Sequence, residues 1–138
     1  MTSKKNLWGE LPNVETIRTP YTILKEQASI LSEITNGLLI GEVAFNNQTD
    51  NSLSMTLMIK APSLNNYTYS VVEVQQPIQL YPVAVINLLE GRMGKYSSEE
   101  EFESALGQIL SSQDVKRVIS GLLAQIHADI PKQPIDSQ

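Results

Sequence analysis

The amino-acid sequence predicts an α+β domain, built as an N-terminal helix, a four-stranded antiparallel meander and a C-terminal helical hairpin packed on one face of the sheet. Apolar residues recur with the period of a helix near both ends of the chain. The middle of the chain holds runs rich in β-branched and aromatic residues, which strands prefer. Short linkers of turn-forming residues join these runs, and such linkers favour antiparallel neighbours.

A length of 138 residues suits one domain. We expect an extended N-terminal strap over residues 1–18, a folded core over 19–128 and a loose tail over 129–138. The strap contains Trp8, the only tryptophan of the chain, beside Gly9. A lone tryptophan in such a segment is expected to dock on the core, because its large ring gains from burial.

The first helix has a marked beginning and end. Thr19 is a suitable N-cap and Pro20 suits the first helical position, while Asn36-Gly37 supplies a left-handed stop. Gln27 lies in the middle of the apolar face of this helix. Two interpretations of Gln27 stay open: a buried amide bonded to a backbone group, or a polar side chain directed into a pocket.

Pro82 has no N–H to donate to a ladder, so it places the last predicted strand at an edge or at a bulge. A short helix from Pro82 to Gly91 is the alternative, but the β-branched residues nearby favour a strand. In the second strand Ser54, Thr56 and Met58 alternate with apolar residues, so their face meets either solvent or another copy of the chain. The four predicted strands cover residues 38–45, 52–60, 67–74 and 78–86.

The last two elements are helices that follow a predicted turn. The stretch GRMGKY, residues 91–96, looks superficially like a phosphate loop but lacks its spacing, and it is predicted to be a turn. Ser97 or Ser98 caps the next helix, with a glutamate three residues on in either case. A polar break at 111–114 separates this helix from the last one, which predicts a helical hairpin.

Composition excludes several classes of function. Ten basic residues against fifteen acidic residues give a net charge of −5, which argues against nucleic acid as a partner. The absence of cysteine removes disulfides, thiolate nucleophiles and zinc ribbons. The start of the sequence has no apolar signal segment, and no run is long enough to span a membrane. We therefore expect a soluble cytoplasmic protein that does not bind membranes.

No motif indicates catalysis, a cofactor or a metal. The only histidine, His127, lies near the end of the last predicted helix without an orienting carboxylate on its own face. Glu42 and Glu73 lie inside predicted strands, but alternation does not tell whether they share a face. The acidic run at 99–103 is predicted to be a solvated helix start, and the loop at 46–51 lacks the spacing of a calcium site.

These observations favour a non-enzymatic protein–protein interaction module or homo-oligomer. Its partner would be another protein or a second copy of the chain, and a homodimer is expected. The predicted edge and the aromatic third strand supply the candidate contact residues, since both are suited to strand addition or sheet packing. These residues are Tyr67, Tyr69, Tyr81 and Pro82.

Two alternatives stay open. In the first, the sheet curls around the first helix to form a small-molecule-binding or enzymatic pocket, an architecture that resembles the cystatin and nuclear-transport-factor-like folds. Gln27, Tyr69, Tyr81 and Glu73 would be the pocket residues. In the second, the chain is an immunity-like or chaperone-like accessory protein of a bacterial system, since such proteins are similar in size and acidity.

Overall fold

An antiparallel sheet carries helices on one of its two faces. A computed structural model describes residues 5–12, 17–46 and 52–128 of the chain. Within these ranges the elements are, in chain order, α1 (Pro20–Ile34), β1 (Ile40–Asn46), β2 (Ser52–Ala61), a 3-10 turn (Pro62–Leu64), β3 (Tyr67–Pro77), β4 (Val83–Asn87), β5 (Arg92–Tyr96), α2 (Glu99–Leu110) and α3 (Gln113–His127).

The strands pair in the order β1-β2-β3-β4-β5, each antiparallel to its neighbour. The predicted α+β class, with its leading helix, meander and two closing helices, is confirmed, although the described residues hold five strands rather than four. The additional strand is β5, which lies within the stretch 91–96 that is predicted to be a turn. The turn lies just before β5, where Asn87 Oδ1 accepts the backbone N–H of Leu89 at 3.0 Å and Gly91 has a φ of 75°.

The prediction that Pro82 marks a sheet edge is wrong. β4 begins only at Val83, so Pro82 lies in the connection from β3 and its missing N–H removes no bond from the ladder. β4 is an interior strand between β3 and β5, and the alternative of a short helix here is wrong as well. The Tyr81–Pro82 peptide bond is cis.

The helices begin and end where the sequence predicts. Thr19 Oγ1 accepts the N–H of Thr22 at 3.1 Å, and Pro20 is the first residue of α1. At the other end Asn36 adopts a φ of 53°, and the N–H of Gly37 donates to the carbonyl of Ser32 at 2.8 Å. This pattern provides hydrogen-bond donors for carbonyl groups of the last turn that have no partner within the helix, and the helix ends here. Ser98 caps α2 by accepting the N–H of Glu101 at 3.2 Å.

The core lies between the helices and one face of the sheet. Along β2 the predicted alternation holds, since Met55, Leu57 and Ile59 are buried while Met58 and its polar neighbours are only partly buried. From the helices, Phe102 is fully buried against this face. The cluster of buried residues includes members from all three helices: Ile23, Leu24, Ala28, Phe102, Leu106, Val115 and Leu122.

α1 approaches β1 very closely at Gly41. A Cβ placed on Gly41 would overlap the backbone of Ala28, so only glycine fits beneath the helix at this position. The N–H of Gly41 donates to Ser32 Oγ at 3.1 Å, which joins helix and strand by a hydrogen bond as well. The position of α1 over β1 and β2 therefore depends on the residue at 41.

Gly41→Ala should destabilise the protein by about 1–3 kcal/mol, because the added methyl group must push α1 away from the sheet. Gly107→Ala is the matched control, since Gly107 lies in α2 with open space around its Cα. It should be neutral or stabilise the protein by up to about 1 kcal/mol, because alanine favours the helix. Urea unfolding curves measure both changes, and an unchanged Gly41→Ala midpoint would contradict the close approach.

Candidate binding groove between the helices

A groove runs between α1 on one side and α2 and α3 on the other. It consists of an outer cleft of about 600 Å³ and an inner cleft of about 150 Å³. The outer cleft begins at Arg18, before α1, and the inner cleft extends to Ile34 at the end of α1. Gln27 and Leu110 line both clefts and so mark the point where they join.

The inner cleft is apolar except for one side chain. Ile30 and Ile34 of α1 lie at its rim and are 43% and 72% exposed. Ile119 of α3 lines the opposite side, and buried residues of β2 and β3 form the floor. An apolar cavity of about this volume holds a single aromatic ring. Large exposed isoleucines around such a cleft are typical of a binding surface.

Gln27 is the single polar residue that lines the inner cleft. It lies on the same stripe of α1 as Ile23, Ile30 and Ile34, at helical spacings of three and four residues. Its side chain is partly exposed and makes no hydrogen bond to any other described residue. The interpretation as a buried, backbone-bonded amide is therefore wrong. Gln27 presents an unused acceptor and donor pair beside apolar walls.

A cluster of charges closes the head of the outer cleft. The guanidinium of Arg18 bonds Glu99 at 2.9 Å and also contacts Glu26 and Glu103. These hydrogen bonds, with Glu26 first, hold the pKa of Arg18 above its ordinary value. The acidic start of α2, which is predicted to be solvated, therefore links Arg18 to α2, and Glu26 links Arg18 to α1. Three carboxylates surround one guanidinium, so the head of the groove is acidic.

Tyr81 lies beside this cluster with its hydroxyl buried. Burial, and then the negative charges of Glu99 and Glu103, raise the pKa of Tyr81 above its ordinary value. Its hydroxyl oxygen has no hydrogen-bond partner among the described residues. A buried unpaired hydroxyl costs free energy, so this group does not stabilise the fold.

Tyr81→Phe should raise the free energy of unfolding by about 1 kcal/mol, because it removes an unpaired buried hydroxyl and keeps the ring. The pKa of Tyr81 is higher in the folded state than its unfolded value of about 10. Above about pH 10 the unfolded chain therefore loses the Tyr81 proton before the folded chain does, and the stability of the fold decreases as pH rises through the folded pKa. Stability should therefore fall less steeply above pH 10 in the variant. Tyr67→Phe, at a residue 49% exposed, is the control for urea unfolding at each pH. Equal pH slopes in wild type and Tyr81→Phe would contradict this account.

Within the part of the predicted strap that the structure describes, Trp8 does not dock on the core. Trp8 is 86% exposed, and the apolar neighbours Leu7 and Leu11 are 84% and 73% exposed. The segment has local order, since Asn6 Oδ1 accepts the N–H of Trp8 at 2.9 Å and Gly9 has a φ of 72°. This turn is of a kind that asparagine and glycine favour. Residues 1–4 and 13–16 of the predicted strap, and the tail at 129–138, lie outside the described residues.

The second face of the sheet, here called the open face, carries no described helix. Glu42 and Glu73 both lie on it, which alternation alone could not establish. Glu73 accepts hydrogen bonds from Ser54 at 2.8 Å and Gln75 at 3.2 Å, and Glu42 lies 3.6 Å from Lys60. The polar side chains of the open face therefore pair largely with one another.

The predicted contact residues do not form one surface. Tyr67 begins β3, whereas Tyr81 and Pro82 precede β4, whose first residues pair with the far end of β3. The two places are about 26 Å apart, at about 3.3 Å per residue. Tyr69 lies opposite Ile59 and packs on the helix-facing core. Of the predicted pocket residues, Glu73 is on the opposite face of the sheet from Gln27.

His127 is the last residue of α3 and is exposed. Within residues 5–12, 17–46 and 52–128 there is no group of three or more side chains suited to hold a metal ion. None of the helices in those ranges combines the length and apolar character needed to cross a membrane.

No protein-family model, curated protein or solved structure matches this chain. Gln27 is identifiable from the sequence, but the groove around it is not. The walls come from residues almost 90 positions apart, such as Ile30 and Ile119, and no local pattern indicates that they meet. Arg18 was missed because it stands in a stretch without periodicity.

Proposed function

We propose that the protein is a non-enzymatic protein–protein interaction module that forms a homodimer through the groove between the helices. The observation that carries this proposal is the inner cleft, where exposed Ile30 and Ile34 surround an apolar hollow that contains one unpaired amide. Protein interfaces typically combine a central apolar contact with a few polar groups that fix its orientation.

The groove suits this role better than the open face does. Side chains of the open face already bond one another around Glu73, so a partner would have to break those bonds. The sheet edges are poor sites for strand addition as well. At the β1 edge the N–H of Gly41 already donates to Ser32 Oγ. The β5 edge carries Arg92 and Lys95, whose charges oppose the addition of another strand.

The chemistry of the chain supports a protein partner over other kinds. A net charge of −5 and an acidic cluster at the head of the groove disfavour nucleic acid and anionic membranes. The absence of cysteine supports a role in the cytoplasm, where disulfides are rare. No cofactor is part of this proposal.

A small-molecule-binding domain is the second candidate. The volume of the inner cleft, about 150 Å³, suits one aromatic ring, and Gln27 offers both a hydrogen-bond donor and an acceptor to it. A monomer that retains a small organic molecule during purification would favour this candidate over self-association, and native mass spectrometry distinguishes the two.

Ile34→Glu should weaken the homodimer at least tenfold. Burial of an isoleucine contributes about 1.5–3 kcal/mol, which the charged residue forfeits. Because Ile34 is 72% exposed in the single chain, the substitution should leave the fold intact. Sedimentation equilibrium over a range of protein concentrations measures the dissociation constant.

Met93→Glu is the matched control for Ile34→Glu. Met93 is similarly exposed, at 60%, but it lies on the open face opposite Ile86. It should leave the dissociation constant unchanged. If Met93→Glu abolishes association and Ile34→Glu does not, the copies meet through the sheet and the groove is not the interface.

A further inference from the structure

The only tryptophan of the chain is displayed on the surface of a local turn. Trp8 is 86% exposed, and the Asn6 side chain bonds the turn around it at both Trp8 and Gly9. The indole N–H makes no hydrogen bond to a described residue. A tryptophan gains most from sites that bury its ring and provide an acceptor for its N–H, and such residues dominate the energetics of many interfaces.

The inner cleft meets both needs of an indole ring. Its volume of about 150 Å³ is that of a cavity which takes up one aromatic ring. Its walls are apolar side chains, mostly isoleucine and leucine, and its single polar residue, Gln27, has an amide oxygen without a described partner. The indole N–H is a donor only, and the Gln27 Oε1 atom is an acceptor, so the two unpaired groups are complementary.

We propose that Trp8 of one copy inserts into the inner cleft of a second copy, with the indole N–H donating to Gln27 Oε1. This inference rests on the proposed homodimer and names the residue that fills its groove. Under two-fold symmetry the exchange is reciprocal, so each dimer buries two indole rings.

Chain length and charge are consistent with exchange between copies. Trp8 lies ten positions before Arg18, which is held at the head of the groove, and this stretch spans up to about 35 Å. Residue 30 lies only about 15 Å along α1 from Pro20, so the segment is long enough to reach a cleft of this kind, in its own chain or in a neighbouring molecule. Before Trp8 the sequence holds Lys4 and Lys5 and no acidic residue, and this positive charge complements the acidic head of the groove.

A mixing experiment separates exchange between copies from docking within one copy. Ile34→Glu keeps Trp8 but blocks the cleft, whereas Trp8→Ala keeps the cleft and has no tryptophan. Both changed residues are largely exposed, at 72% and 86%, so both variants should fold. In the mixture the only tryptophan belongs to the Ile34→Glu chain. Its fluorescence should shift to shorter wavelength as Trp8→Ala protein is added, and sedimentation should show a heterodimer that neither variant forms alone.

A second set of variants tests the hydrogen bond. Gln27→Leu removes the acceptor and keeps an apolar wall, so it should weaken the wild-type dimer about fivefold. In a Trp8→Phe background, which lacks the N–H, the same change should not weaken association. A merely structural role for Gln27 would give the same loss in both backgrounds, and that result would overturn the proposed contact.

Emission that stays at long wavelength throughout the mixing experiment would overturn the inference. So would wild-type emission already at short wavelength and insensitive to dilution, which would mean that Trp8 docks within its own chain. A wild-type dimer that persists in Trp8→Ala would refute the inference and leave the proposed homodimer standing. A wild-type protein that is monomeric at every concentration would refute both.

Discussion

The close approach of α1 to β1 is the constraint on which the arrangement of the helices depends. Only glycine fits at position 41 beneath the backbone of Ala28, and Ser32 bonds the same residue. The left-handed stop at Asn36 turns the chain directly into β1. These contacts hold α1 over the β1 side of the sheet, while α2 packs over β4 and β5. The space between the two positions is the groove.

Ion pairs close one end of the groove, and the other end is open. At its head Arg18 joins the residue before α1 to both α1 and α2 through three carboxylates. Such exposed ion pairs contribute little to stability one by one, and their common arginine serves mainly to fix where the N-terminal segment enters. Farther along, no described side chain fills the inner cleft, and Gln27 is left without a partner there. The inner cleft is therefore an apolar site with one polar side chain and no described side chain inside it.

The sequence predicts the helices and strands of this protein better than the contacts between them. Caps such as Thr19 and Ser98 and the stop at Asn36 are local signals, and local physics decides them. β5 was missed because a short run with one apolar methionine and Gly94 becomes a strand only by pairing with β4. The predicted docking of Trp8 on the core was wrong, because the tendency of tryptophan to be buried does not specify which molecule buries it. Gln27 was identified because a polar residue breaks an apolar stripe, but its surroundings depend on tertiary packing that no local pattern contains.

In the proposed homodimer, copies of this protein meet through the groove between the helices and not through the open face of the sheet. Amide NMR spectra recorded across a dilution series test it most directly, because every backbone N–H reports on its own surroundings. Signals around Gln27, Ile34 and Ile119 should move with concentration, while those around Glu73 should stay fixed. Movement confined to the open face, or spectra that do not change with concentration, would contradict it.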